Sequence, residues 1–224
     1  MTFAEKAIKY FCSLKIHKLK NPDVELLNTY QSADVKEAVK KFYQKFYSDN
    51  NRRLFIIGIN PGRFGGGLTG ISFTDPVALK EHCGIDNNLG ERKEISSKFI
   101  YEVAEQFGGV KEFFSNVFLT AAYPFALIKN GKNYNYYDDK ILANNLHDQI
   151  LRNIKSQLAF SSAVDSAIIL GKKNADYISA INIDNQLFKK IIVLEHPRFI
   201  MQYRLRSRHK FIAKYLETIK IFSK

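Results

Sequence analysis

The sequence is short of the groups that metal and redox chemistry need. Only Cys12 and Cys83 occur, too far apart for a C-x-x-C pair, so neither a disulfide framework nor a zinc ribbon is supported. The five histidines fall in no H-E-x-x-H or H-x-H spacing, and metal-independent chemistry without a cofactor is expected. No apolar run approaches the ~18 residues of a membrane helix. The N-terminus mixes Glu5, Lys6 and Lys9 with apolar residues, without the unbroken apolar core of a secretory signal. The expectation is a soluble, intracellular protein of the cytoplasm with no membrane partner. G-x-x-x-x-G-K-[ST] is absent and no G-x-G-x-x-G stands in register with a strand end, which argues against a nucleotide enzyme. There is no internal repeat, low-complexity tail or Pro-rich linker. Acidic residues are also in deficit, 22 against 34 Lys and Arg, leaving a net charge of +12. That excess attracts polyanions, with nucleic acid and anionic membrane surfaces as the candidates, and does not choose between them.

What is present is a chain of 224 residues, 46% of them hydrophobic, long enough to bury a core without staples. It reads as a single domain over 1–224, with an N-terminal helical part over 1–50 and an α/β core over 54–220. Phe3, Ala7, Phe11 and Leu14 share one face of a helix expected over residues 3–18. Val35, Val39, Phe42 and Phe46 do the same after an N-cap at Ser32. From Leu54 onward, short apolar runs alternate with helical ones. Strands are expected over Leu54–Ile59, Asn116–Thr120, Ala167–Leu170 and Lys190–Leu194. Helices are expected near Ser97–Phe107 and Asp138–Phe160, after Lys172, and from about Ser207. This pattern predicts a three-layer α/β/α fold around a four-stranded, mostly parallel sheet, its strands buried on both faces. The stretch Lys129–Asp139, rich in Asn, Tyr and Gly, is expected to be a long loop.

The most informative segment is Gly58-Ile59-Asn60-Pro61-Gly62-Arg63-Phe64-Gly65-Gly66-Gly67-Leu68-Thr69-Gly70-Ile71-Ser72-Phe73, which directly follows the first strand. Five glycines between Gly62 and Gly70 let the backbone approach a ligand closely and suit a fitted pocket wall. Ligands of parallel sheets bind beyond the carboxyl ends of the strands, where Asn60 and, after the last strand, His196 both fall. Read from the residues alone, Asn60 could equally cap its own loop, and His196 could be structural. Thr74-Asp75-Pro76 reads as an N-cap followed by proline at the first helical position. Glu195, next to His196, points to the opposite side by strand alternation.

Asn60-Pro61-Gly62-x-Phe64-Gly65 after a strand, followed by Thr69-Gly70-x-x-Phe73, resembles the first active-site motif of the single-strand-selective monofunctional type of the uracil-DNA glycosylase superfamily. Glu195-His196-Pro197 resembles the opening of that superfamily's second motif, and the likeness spans Leu54 to Lys220. The resemblance implies a monofunctional DNA glycosylase of base excision repair, which flips a uracil or related damaged base out of DNA and leaves an abasic site. It also implies that Asn60 orients the attacking water and that His196 donates to the departing base. Ile59, Gly62, Phe64, Phe73 and Ala121 would surround the base, with Phe73 stacking on it. Arg63, Arg198, Tyr203, Arg204 and Arg206 would face DNA, single-stranded or duplex. The expected protein is a monomer, and two cysteines cannot supply the four-cysteine iron–sulfur cluster of some relatives.

Two positions depart from the family pattern. Ala121 stands where an asparagine is expected to read the uracil edge, a loss of roughly 1–3 kcal/mol in base discrimination; backbone, Thr120 or Tyr123 are the substitutes open to it. After His196-Pro197 the family's Ser-Pro step is replaced by Arg198-Phe199, with Tyr203, Arg204, Arg206 and Arg208 close behind, in the segment that presses into DNA. A catalytically silent DNA-binding protein of the same fold is the alternative. An RNA binder using Gly62-Arg63-Phe64-Gly65 as a clamp is disfavoured, because that clamp belongs between helices.

Overall fold

The computed structural model of the protein describes residues 1–161 and 164–223. Two helices come first, α1 (Phe3–Ser13) and, after the two-residue strand β1 (Glu25–Leu26), α2 (Ala33–Phe46). Thr2 and Glu5 close α1 with a reciprocal capping box, satisfying N–H groups that the first turn leaves free. The helix is shorter than the expected 3–18. Its buried stripe ends at Phe11, and Ile16 beyond is 40% exposed, so no apolar face remains to hold another turn. Ser32 caps α2 as expected, accepting from the Val35 N–H.

The α/β part then runs in order through β2 (Leu54–Gly58), α3 (Gly66–Thr69), α4 (Pro76–Glu81), α5 (Ile95–Phe107), α6 (Val110–Asn116) and β3 (Val117–Ala121). It continues through β4 (Leu127–Lys129), β5 (Lys132–Tyr134), α7 (Lys140–Leu158), β6 (Ser166–Leu170), α8 (Lys172–Asn185), β7 (Lys190–Leu194), α9 (Pro197–Tyr203) and α10 (Arg208–Phe222). Strands β3, β2, β6 and β7 form the expected parallel sheet in that order, with helices around it. Both β2 and β3 are buried at every position, which is why their sequences show continuous apolar runs without alternation. Phe118 and Thr120 point to one face. There Phe118 meets Phe3 of α1 edge-on at 5.0 Å, and Thr120 donates to Gln157 of α7.

The stretch expected as a loop over Lys129–Asp139 instead contains a hairpin. Strands β4 and β5 pair antiparallel around Asn130-Gly131, and β1 joins them in a second, three-stranded sheet. Asn130 (φ 50°) and Gly131 (φ 67°) are both left-handed, the geometry that a tight two-residue hairpin turn requires.

The chain leaves β2 toward β3 on one side of the sheet, then crosses to β6 and β7 on the other. The carboxyl ends of β2 and β6 therefore flank the point where the winding direction reverses, the position at which open parallel sheets form a crevice.

Candidate active site

Strand β2 ends at Gly58, directly beneath the ring of Phe73. A Cβ on Gly58 would stand 2.5 Å from that ring, so only glycine lets the aromatic lie on the strand end. Phe73 itself has φ 56°, a strained conformation for a bulky residue that persists only where its surroundings impose it. They do so through Thr69, whose hydroxyl donates to the Thr74 carbonyl at 2.6 Å. The N-terminal part holds the same loop, with Thr29 donating to Gly67 O at 2.7 Å and Tyr30 to Gly70 O at 3.1 Å. The helical N-terminus thus acts as a brace for the glycine loop.

Asn60 follows the strand end. Its Nδ2 donates to Tyr134 O at 3.0 Å, and its Oδ1 accepts from Tyr136 N–H at 3.2 Å. Those two backbone partners fix which end of the amide is which. One N–H and one lone pair remain for a ligand. The hairpin that supplies these contacts is itself tied to the glycine loop, because Arg63 N–H donates to Asn133 Oδ1 at 3.0 Å and the Arg63 guanidinium reaches Gly131 O.

Strand β7 delivers His196, the N-cap of α9. Its Nδ1 accepts from Arg198 N–H at 3.2 Å, which leaves the ring proton on Nε2. Burial, aided by the Arg198 guanidinium, lowers its pKa to about 4. The imidazole is therefore a neutral donor at ordinary pH. Gly171, just after β6, lies beside it with φ 91°, a left-handed conformation that favours glycine. The His196 and Phe73 ring centroids lie 5.6 Å apart.

These residues converge on a cavity of about 380 Å³. Of the residues singled out in the sequence, Asn60, His196, Ile59, Gly62, Phe73, Ala121, Arg198 and Tyr203 line it. Phe64 does not. It lies on the outer side of the loop, 37% exposed, with the Arg63 guanidinium 4.4 Å and that of Arg92 5.2 Å from its ring centre. Arg63 is turned toward the hairpin, while Arg204 and Arg206 stand exposed beyond the cavity rim. Thr120 and Tyr123 are not in the cavity lining either. Thr120 faces Gln157, and the Tyr123 hydroxyl is buried without a hydrogen-bond partner among the described residues. Glu195 turns away to pair with Lys214 at 3.2 Å, and Asp75 caps α4 by accepting from Ala78 N–H at 2.8 Å.

The cavity also contains groups that the sequence did not announce. Tyr134 and Tyr137, from and just after the hairpin, form part of its wall, as does Glu94. The Asn-Gly pair at 130–131 was the available signal for the hairpin. For Glu94 the signal was weaker: a glutamate at a helix start, where a shorter side chain usually caps. Among the described residues, no cluster of His, Cys, Asp and Glu could hold a metal ion, and no helix is long and apolar enough to cross a membrane.

The family model of the uracil DNA glycosylase superfamily matches residues 44–220. No curated protein sequence matches the chain. The crystal structure of wild-type SMUG2 from Pedobacter heparinus is similar over the whole fold, with a TM-score of 0.94 and 39% sequence identity. That match covers 99% of this chain and 98% of the other.

Proposed function

The chain belongs to the uracil DNA glycosylase superfamily, and from that premise we propose that it is a monofunctional glycosylase of base excision repair. Its reaction is hydrolysis of the N-glycosidic bond of uracil, or of a related deaminated or damaged base in DNA, to leave an abasic site. The observation that carries the reading is the meeting of Asn60 and Phe73, from the two ends of the segment after β2, with His196, from the end of β7, in one cavity. It is proposed to act as a monomer in the cytoplasm, on single-stranded or duplex DNA.

In this mechanism the flipped base enters the cavity and stacks on Phe73. The C1′–N bond breaks with its electron pair going to the base, and positive charge builds on the sugar. His196 Nε2–H donates to the base oxygen on which negative charge develops. A neutral imidazole suits this step, since its hydrogen bond strengthens as the anion forms in a site of low dielectric. Asn60, its amide held by Tyr134 and Tyr136, aligns a water through its remaining lone pair for addition to C1′. An amide is a weak base, sufficient because the sugar cation makes the attack easy; the proton the water sheds is then lost to solvent or to the departing base. Arg198, Arg204 and Arg206 form no ion pair among the described residues, and with Arg63 and Tyr203 they would meet the phosphates and the gap left in the stack.

The test is base release from oligonucleotides carrying uracil, xanthine or hypoxanthine, single-stranded and in mismatched duplex, with alkaline cleavage reporting abasic sites. Removing one positioned donor costs about 10²–10³-fold in rate, and His196→Ala is expected to fall in that range. Asn60→Ala is expected to lose release comparably. Unchanged release by both variants would overturn the assignment, and firm DNA binding by the wild type without any abasic product would point to a silent binder.

A further inference from the structure

The cavity holds a carboxyl group that the reaction above does not use. Glu94 occupies the N-cap position of α5, where a short polar side chain would accept from the first turn. Its side chain makes no such bond. Its backbone N–H donates to Asp75 Oδ2 at 2.8 Å, which fixes the chain at this point, while the carboxyl has no hydrogen-bond partner among the described residues. It rests on the glycine loop, in the space that a Cβ on Gly62 or Gly65 would fill. Two glycines thus form a seat for a carboxyl that opens on the same cavity as Asn60, Ala121 and His196. Of the amides and imidazole beside it, Asn60 is held by Tyr134 and Tyr136 with one N–H and one lone pair left for water, Asn133 accepts from Arg63 N–H, and His196 accepts from Arg198 N–H with its Nε2–H left for the departing base.

We propose that Glu94 is the base-selecting group of this pocket, its carboxyl reading the hydrogen-bonding edge of the extruded base in place of the amide that Ala121 cannot supply. A protonated carboxyl presents an O–H donor beside a C=O acceptor, the same pair that a carboxamide offers. That pair complements a base edge with a ring N–H beside a carbonyl, the lactam edge that deamination creates. An ionised carboxylate has acceptors only and is repelled by the carbonyl. Burial first, and the nearby Asp75 carboxylate second, push the Glu94 pKa up to about 7, with Arg198 opposing them. The charged and titratable groups around it are Asp75 at the start of α4, Arg198 and His196 at the start of α9, Tyr134, Tyr137 and Tyr203 in the cavity wall, and Lys93, Lys98 and Glu81 along the adjoining depression. His196 keeps one protonation state across neutral pH, so a change near pH 7 reports on Glu94.

This assignment rests on the base-excision reading, and the experiment separates the two. Affinity is measured for a strand carrying 2′-fluoro-2′-deoxyuridine, whose glycosidic bond resists hydrolysis, relative to the same strand undamaged. For the wild type this preference is expected to fall about tenfold between pH 6 and pH 8. Glu94→Gln keeps the donor–acceptor pair and should retain the preference without the pH dependence. Glu94→Ala should lose it about tenfold at the lower pH, with thermal unfolding confirming that the variant is folded. A wild-type preference that does not change with pH, or Glu94→Ala matching the wild type, overturns the proposal. Release of base from plain deoxyuridine DNA decides the underlying reading on its own. If the wild type releases none at any pH, excision fails while the affinity ratios still judge Glu94.

Discussion

His196 and Glu94 are two ionisable groups of one cavity whose surroundings move them in opposite directions, and stability should record both. His196 has its pKa lowered to about 4, below the ordinary 6.5. Between those values the folded protein holds fewer protons than the unfolded chain, so stability present above pH 6.5 is lost as the pH falls through the window. Glu94 has its pKa raised to about 7, above the ordinary 4.5. The folded protein there holds more protons, so stability present at pH 4.5 is lost as the pH rises toward 7. Glu94→Gln removes the second dependence alone. It is expected to leave stability near the wild-type value at pH 5 and to raise it by about 1–2 kcal/mol at pH 8, read from urea unfolding at the two pH values. His196→Gln should instead flatten the acid side. For base release, no loss is expected as the pH falls through 6.5, because the imidazole is already neutral there; a rate that halves near pH 6.5 would show His196 to titrate normally.

At the scale of elements, the loop after β2 depends on what glycine omits. Gly58→Ala would place a methyl group 2.5 Å from the Phe73 ring, and the strand end, paired to Ala121 of β3, is fixed. The ring must move off the cavity floor. Base release is expected to fall at least tenfold, with stability lower by about 1–3 kcal/mol as in overpacked cores, measured by kcat/KM and denaturant unfolding. Gly131→Ala acts from farther away. The left-handed turn then carries a side chain at a cost of about 1 kcal/mol, and the hairpin that clamps Asn60 through Tyr134 and Tyr136 is loosened. Lower kcat with little change in KM is the expected signature. These elements also show what the sequence discloses and what it hides. The parallel strands could be read almost to the residue, because each carries an unbroken apolar run; burial on both faces explains that run in β2, β3 and β6, whereas β7, expected to be buried in the same way, lies at the sheet edge with Val193 45% exposed. The hairpin could not be read from hydrophobicity, since its strands are three residues long, with only Leu127 and Ile128 apolar in β4 and Tyr134 in β5, and gain their place from contacts with the glycine loop and β1. Asn60 and His196 were visible through the motifs around them. Glu94 was not, because only the folded chain brings the start of α5 over Gly62 and Gly65.

On the scale of the whole molecule, a net charge of +12 is spread over a chain whose ion pairs use only some of its cations, and where the unused ones lie decides how DNA is held. Arg198, Arg204 and Arg206 occupy α9 and the turn after it, beside Phe199 (41% exposed) and Tyr203 (67% exposed), whose rings lie 5.6 Å apart. Arg208, by contrast, is paired with Glu102 at 3.1 Å. Exposed aromatics flanked by unpaired guanidinium groups, at the rim of a base-sized cavity, suit a strand whose phosphates and bases are contacted together. Each phosphate neutralised releases counterions, so the slope of log affinity against log salt counts the contacts, at about 0.9 per phosphate for duplex and 0.7 for single strands. Arg204→Ala and Arg206→Ala are each expected to reduce that slope by about one phosphate contact and to weaken binding without regard to the base in the strand. Arg208→Ala should leave the slope unchanged. Tyr203→Ala should weaken binding by about 1–3 kcal/mol, the worth of a stacked base, and leave the slope alone, because stacking releases no counterions. Fluorescence anisotropy over a salt series with a uracil-bearing strand and its undamaged equivalent gives the slopes of the wild type and of all four variants. Equal slopes for the wild type and both arginine variants would place the DNA on another face of the protein, since no charge on α9 or the following turn would then be meeting a phosphate.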